Sequence, residues 1–543
     1  MNLPTRKKPE VLSPAGNLRG LKTAVDYGAD AVYCGGKAFG MRSAPKNLSL
    51  EDFEEGSRYA HERGARVYVT CNVLPRNNEI EAMREYVGQL KDTGVDALIV
   101  SDIGVMMMAR QVAPNLELHV STQAGVTNYQ AANAFYELGA RRVVLAREMD
   151  LQAVRDIRAN IPDDLDIECF VHGAMCMAFS GRCLFSNYLT GRDGNHGECA
   201  QPCRWKYSIV EEKRPGQYFP IEQTENGAYL FNSQDMNMLG HLDDLIDSGA
   251  TSLKIEGRAK SAYYIAAMTN AYKTAVNEYM IQRGFEDADG NVLKPFHDRV
   301  IRPGDPDFGQ GTEDQVMRNA DAAFAGVADE GYDRGSDTAV ADSVTGSVAA
   351  ERDRVTVADA VDSTASGTPA GTAVEPDGMS SHARSTRRKS NTAVEQIETD
   401  WKHAAVRPAP HVELPEWLLE ETDKVAHRDY STGFYYGEPG QYVASSRSWL
   451  VVGEVLSWSA DEGGRVTLMS RNKIEPGQQV EFLLPGERPL VFTVPETGLR
   501  DADGAPVPAI NNPAHVFSMP CPHQVPINAA IRSRTKKPTL KAE

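Results

Sequence analysis

The chain has 543 residues, 41% of them apolar, with 57 basic and 75 acidic side chains and a formal charge of −18. That length accommodates two or more domains and a large core, while the acidic balance taken alone argues against a nucleic-acid partner. Eight cysteines, clustered rather than scattered, argue against a disulfide framework and for a reducing cytoplasm.

The first residues, MNLPTRKKPEVLSPAG, are basic but lack an apolar stretch, so they do not read as a signal peptide. The most apolar run, Asp96 to Ala109, is interrupted by Asp102 and is too short to span a bilayer. A cytoplasmic protein without membrane contact is expected.

From Pro9 to about Arg283 one unit recurs: a helical stretch, a glycine, then a short β-branched run. The copies are DYGADAVYCGG (Gly28), ERGARVYVTCN (Gly64), DTGVDALIVSD (Gly94), ELGARRVVLARE (Gly139) and DSGATSLKIEGR (Gly249). Glycine just past a helix takes the left-handed conformation that turns the chain into a strand. The runs PEVLSP, LELHVST and LDIECFVHG lack that entry but complete a set of eight strands alternating with helices. Such alternation predicts parallel βα units closing into a TIM-like (β/α)8 barrel. An open doubly wound sheet is the alternative, and no G-x-G-x-x-G follows the first strand to support it.

In a barrel, chemistry collects where strands end and βα loops begin. Those ends carry Ser13 to Gly16, Cys34 to Gly36, Cys71-Asn72, Ser101-Asp102, Ser121 to Gln123, Arg147-Glu148, His172-Gly173 and Glu256-Gly257-Arg258. Polar and glycine residues there suit a site and equally suit any solvated loop.

The seventh strand feeds the densest feature of the sequence, Glu168 to Tyr207, which holds five of the eight cysteines. Cys176, Cys183, Cys199 and Cys203 are spaced by six, fifteen and three residues within Gly-rich sequence. Four thiolates suit a zinc ion or an iron–sulfur cluster. Zinc sites bring paired short spacings, which only Cys199 and Cys203 provide, and the six-residue gap suits a cluster better. A set of buried free cysteines is the bland alternative, but flanking Gly and Arg are poor core companions.

Beyond Gly284 the composition changes. Residues 301–400 carry 19 acidic and 9 basic residues, three aromatics and no Trp. Such a segment buries too little apolar surface to offset chain entropy, so a disordered acidic insert is expected over 284–410. It takes −10 of the −18, which weakens the objection to an RNA partner. From 411 to 543 a short helix and turn precede WLVVGEVLSWSA, GRVTLMSR, QQVEFLLPG and PLVFTVP, which read as a small all-β barrel domain. The end, IRSRTKKPTLKAE, is a basic tail that suits phosphate or plain solvent. The division is thus a barrel over 1–283 with its Cys-rich loop at 168–207, the insert, and the β domain over 411–543.

The pattern E-x-F-x-x-G-x-x-C-x6-C, here ECFVHGAMCMAFSGRC, resembles the signature of the collagenase-like peptidase family (peptidase family U thirty-two). PEVLSPAGN, SLKIEGR and HRDYSTGFYYG resemble it too, covering roughly 8–283 and 412–530. NHGECAQPCRWKY most resembles the branch of prephenate-dependent tRNA uridine hydroxylases, which act at the wobble position to give 5-hydroxyuridine. The resemblance implies a TIM-like barrel, a [4Fe–4S] cluster on Cys176, Cys183, Cys199 and Cys203, supply by iron–sulfur assembly machinery, prephenate as co-substrate, and a tRNA anticodon loop as partner. Cys34 or Cys169 stands as a substitute ligand, because some relatives take one from elsewhere. Prephenate carries two carboxylates, for which Arg147, Arg182 and Arg258 are candidates by position, each equally suited to tRNA phosphate or a structural ion pair. Tyr188, Trp205 and Tyr207 are candidates for base stacking. The family label keeps a peptidase open, with Cys183 or Ser180 as nucleophile and His172 or His196 as base. Yet there is no H-E-x-x-H and no G-x-S-x-G, and thiolates bound to a cluster are not free nucleophiles. Hydroxylation of ribosomal RNA and a non-enzymatic RNA-binding role, held by zinc or a cluster, are the remaining alternatives.

Overall fold

The computed structural model describes residues 9–40, 47–176, 183–205, 208–209, 219–220, 234–282, 411–436, 445–511 and 513–539. The expected acidic insert lies outside the described residues, as do Ser180, Arg182 and Tyr207.

The first half alternates strand and helix: β1 (Glu10–Ala15), α1 (Leu18–Asp26), β2 (Ala31–Gly35), α2 (Leu50–Glu62), β3 (Arg66–Cys71), α3 (Ile80–Leu90), β4 (Ala97–Val100) and α4 (Ile103–Val112). It continues with β5 (Glu117–Val120), α5 (Tyr129–Glu137), β6 (Arg142–Val144), α6 (Leu151–Ala159) and β7 (Asp166–Ala174). The Cys-rich stretch contributes α7 (Phe185–Thr190) and a small pair, β8 (Ser208–Ile209) and β9 (Phe219–Pro220). Then come β10 (Asp235–Asn237), α8 (Leu242–Asp247), β11 (Ser252–Ile255) and α9 (Ala262–Gln282).

Strands β1 to β7 pair in parallel in sequence order, and β11 closes the ring by pairing with both β7 and β1. These are the eight strands expected from the sequence. Helix starts are fixed by side chains that accept from orphan N–H groups, such as the reciprocal capping box of Ser49 and Asp52. Helix ends are fixed as expected: Gly139 (φ 103°) and Gly249 (φ 107°) take the left-handed turn, and Gly28, Gly64 and Gly94 share the positive φ. Alternation along the strands divides the side chains. Leu12, Tyr33, Tyr68, Ala97 and Ile99 fill the ring; Val11, Val32, Val67, Leu98 and Val143 pack outward under the helices.

Two details reach beyond the ring. Strand β7 is nine residues long, and its last turn carries β10 antiparallel, Asn237 opposite His172. The chain after the undescribed segment returns to that edge through α10 (Glu416–Leu419), β12 (His427–Arg428) and β13 (Tyr430–Ser431), with β13 parallel to β10.

The C-terminal domain comprises β14 (Ser445–Ser459), β15 (Arg465–Ser470), β16 (Gln479–Phe482), β17 (Leu490–Thr493), β18 (Arg500–Asp501), β19 (Val516–Pro520) and β20 (Ala530–Thr539). All its pairings are antiparallel, in the order β17-β16-β20-β14-β15-β19-β18, over a core of Val455, Val466, Leu468, Phe482, Phe517 and Ile531. It is joined to the barrel by buried polar contacts. Fully buried Arg532 holds Glu421 (2.7 Å) and Glu481 (2.8 Å) and donates to the Tyr263 hydroxyl (3.2 Å). The Gly486 amide donates to Asn270 (2.6 Å), and Arg19 pairs with Glu454. Among the described residues no helix is long and apolar enough to cross a membrane.

Candidate functional site

The strand ends converge on one mouth. Asn72 donates to the Ser121 hydroxyl (3.2 Å), and Ser101 donates to Gln123 (3.1 Å), linking the ends of β3, β4 and β5. Arg258, three residues past β11, crosses the mouth and donates to Thr70 on β3 (2.9 Å). A Cβ at Gly35 would collide with the Arg258 guanidinium, so glycine at the end of β2 makes room for it.

Arg147, just past β6, is 8% exposed and tightly specified. Its guanidinium lies 3.9 Å from the Phe170 ring centroid and donates to the Ala174 carbonyl (2.9 Å). One nitrogen pairs with Glu256 (3.2 Å); another lies 3.8 Å from the Cys176 sulfur. Two of the three candidate arginines therefore flank the mouth, Arg147 beside the first cysteine of the loop and Arg258 over the ends of β2 and β3.

The cysteine loop leaves β7 and is tied down near the end of β3, on another side of the ring. His196 meets Glu79 (3.0 Å), and Arg76 faces Asp193 at 3.8 Å. Inside the loop Asn195 donates to the Cys183 carbonyl (3.0 Å), and the Ala200 amide donates to the Ser186 hydroxyl (2.9 Å). Gln201 takes φ 56°, a left-handed turn that aims its own amide at the Cys199 sulfur, 3.4 Å away. Two sulfurs thus already receive donors, as metal-bound thiolates do.

The eight cysteines fall into two groups. Cys176 and Cys199 are exposed, and Cys183 and Cys203 are half-buried. Cys34, Cys71, Cys169 and Cys521 are buried. Burial pushes the thiols of Cys34, Cys71 and Cys169 up to about 12 and that of Cys521 to about 11. Without a metal beside them such groups are neutral thiols near pH 7. Cys34 and Cys169, kept as substitutes on sequence, are core residues instead.

The loop sulfurs are not drawn into a zinc tetrahedron. At 2.3 Å from a central zinc they would sit roughly 3.8 Å apart; among the described residues no three of them lie within 4.8 Å of one another. The four sulfurs, two exposed and two half-buried, with N–H groups aimed at two of them, offer the donor chemistry that an iron–sulfur cluster or a zinc ion would take.

His172 lies elsewhere. It is buried behind β7, its Nδ1 3.1 Å from the Tyr272 hydroxyl, among the rings of Tyr264, Tyr272 and Tyr430. Burial pushes it down to about 3, so it stays neutral. His196 is engaged with Glu79. Among the described residues, which exclude Ser180, neither imidazole is hydrogen-bonded to a serine or cysteine, the arrangement a peptidase dyad needs. Tyr188 (88% exposed) and Trp205 (39%) stand on the loop surface. Sequence reasoning missed the Gln201 amide and the Glu79 anchor. Glu256 and Arg147 were both visible in the strand-end set, but their pairing was not.

Comparison with known proteins follows these lines. The profile described as Peptidase family U32 matches residues 16–308, and that of the family's C-terminal domain matches 447–532. The chain is 40% identical over 273 residues to "tRNA hydroxylation protein P1" of Bacillus subtilis, covering 50% of this chain and 64% of that one. It is 42% identical over 292 residues to "tRNA hydroxylation protein P" of Helicobacter pylori, covering 52% of this chain and 69% of that one. "23S rRNA 5-hydroxycytidine C2501 synthase" of Escherichia coli is 38% identical over 275 residues, 51% of this chain and 40% of that one.

Proposed function

The chain belongs to peptidase family U32, and from that premise we propose that it is a tRNA-modifying enzyme converting the wobble uridine to 5-hydroxyuridine. Cys176, Cys183, Cys199 and Cys203 hold a [4Fe–4S] cluster, which when bound supplies the redox chemistry that side chains lack. The observation that carries this reading is the grouping of the cysteines: the four on the loop past β7 are exposed or half-buried, while the other four are buried.

The chain's own residues would do three things. Arg147 and Arg258 place positive charge at the mouth, suited to the paired carboxylates of prephenate or to RNA phosphate. Gln201 N–H and Arg147 neutralise part of the charge on the Cys199 and Cys176 sulfurs. Tyr188 and Trp205 offer faces on which an unstacked loop base can rest. The names of two relatives in the tRNA hydroxylation group support tRNA as substrate. The ribosomal-RNA relative matches over a smaller share of its own length and keeps that substrate as the second reading.

The test is mass spectrometry of tRNA nucleosides from a deletion strain complemented with wild type or Cys176→Ser. We expect 5-hydroxyuridine derivatives to return with wild type and to stay at background with the variant, whose melting temperature is unchanged. Modified tRNA in the deletion strain at wild-type levels would end the reading.

A further inference from the structure

We propose that the β14–β20 ribbon, at Arg534 and Trp449, is a docking surface for the phosphate backbone of the RNA arm that presents its loop to the barrel mouth. This rests on the tRNA reading and adds a contact site on the C-terminal domain.

Charge is the first argument. In a chain of formal charge −18, β20 carries Arg532, Arg534, Lys536 and Lys537 and no acidic residue. Arg532 is spent internally. With Lys424 it forms a buried quartet against Glu421 and Glu481, two cations on two carboxylates. That quartet is neutral, so it does not offset the next cation along the strand. Arg534 is exposed, and no carboxylate among the described residues lies within ion-pair distance of it.

Preorganisation is the second. Arg534 lies opposite Trp449 in the ladder, its guanidinium 5.5 Å from the half-buried indole. Arg532 and Lys424 approach the same ring at 5.4 and 5.3 Å. An aromatic face that holds a guanidinium lowers the entropy lost when a phosphate binds.

Position is the third. One short segment joins the barrel edge to this ribbon: β13 pairs with β10, which pairs with β7, while β12, just before β13 in the chain, pairs with β14 at His427↔Ser446, and β14 pairs with β20 at Trp449↔Arg534. A folded RNA whose target base enters the mouth would pass it.

The experiment uses the full chain and a fluorescent, unmodified tRNA transcript, with affinity measured across a salt series. Arg534→Glu should weaken binding about tenfold and flatten the slope of log affinity against log salt by about one or more. Trp449→Leu should weaken it several-fold with the slope kept, and Trp449→Phe should restore most of the loss. Arg84→Glu, the same charge change on exposed helix α3, should bind like wild type. Wild-type affinity and slope in Arg534→Glu, or an equal loss in Arg84→Glu, would overturn the proposal. A defect confined to anionic vesicles, with tRNA affinity intact, would overturn it in favour of a membrane. The underlying reading fails separately: there, tRNA from the deletion strain stays fully modified whatever Arg534→Glu does.

Discussion

The two ends of the barrel are built from the same residue types to opposite purposes. At the floor, where strands begin, a cavity of about 270 Å³ is lined by Glu10, Arg66, Glu117, Arg141, Arg142, Asp164 and Asp166. Its charges answer one another: Arg142 holds Glu10 (2.5 Å), Glu168 (3.2 Å) and Asp166 (3.4 Å), and Lys254 holds Glu168 at 2.7 Å. Burial alone would raise Glu168, but Lys254 and Arg142 hold its carboxyl below the usual range. At the mouth, Arg147 has Glu256 as its one carboxylate partner among the described residues, and the four loop thiols are exposed or half-buried. A large cavity of closed ion pairs is a fastening. A cationic rim beside exposed sulfur has capacity left for a ligand, and that is why the mouth, not the floor cavity, carries the functional reading.

The comparison breaks most sharply at Arg142. Arg142→Met leaves Glu10 and Asp166 without their buried partner and removes one of two cations from Glu168. Deleting one member of a buried pair costs about 3 to 5 kcal/mol, to be read as a lower urea midpoint. Below its melting temperature the variant should still modify tRNA at the wild-type rate per folded molecule. A stable but inactive Arg142→Met would place function at the floor and reverse the assignment.

Much of this was legible before any coordinates. The helix-Gly-strand repeat specifies both the left-handed turn and the strand after it, so eight strands followed from local chemistry. The cysteine spacing pointed to a ligand set because four thiols in Gly-rich sequence have no packing role. Contacts between distant segments were not legible. Glu79 and His196 meet across 117 positions, and Asp235 receives Arg428 across 193, pairings that no local pattern encodes. His172 looked available because it ends a strand, but the extension of β7 past the ring and the later chain laid over it bury the ring. Cys34 and Cys169 sat on apolar strands whose alternation already hinted at core positions.

A pH series sharpens the contrast between charge used for fastening and charge kept out. His172 has a folded value of about 3 against an ordinary 6.5. Above pH 6.5 the imidazole is neutral folded or unfolded and contributes no pH dependence. As pH falls below 6.5, the unfolded chain takes the proton and the folded one does not, so stability is lost through the window from 6.5 down to about 3. The loss reaches about 2 kcal/mol by pH 5, where the Glu168 carboxylate is still ionised in both states. The urea midpoint at pH 5 should fall below that at pH 7, and His172→Gln should remove most of the difference. His119, also pushed down by burial, adds to the loss, while Asp26, raised by burial to about 6, opposes it in both proteins alike. An unchanged pH dependence in His172→Gln would mean the imidazole takes up its proton within the fold.

The smallest effect tests whether the mouth's cation is more than another fastening. Arg147 reaches Ala174, Glu256 and the Cys176 sulfur at once because a planar guanidinium presents several N–H groups in fixed directions. Lysine in its place keeps the charge and the ion pair to Glu256 but cannot hold all three. If Arg147 only braces the loop, Arg147→Lys should lower the melting temperature and spare turnover in the folded fraction. If it acts on the sulfur and on an incoming anion, turnover should fall about tenfold, or about 1.4 kcal/mol, with little change in melting. We expect the second pattern, together with a shift in the visible absorption of the iron-loaded protein, because the donor nearest Cys176 has been moved. Equal loss of stability and turnover would return Arg147 to the class of the floor arginines and leave Arg258 as the candidate cation for substrate among the described residues.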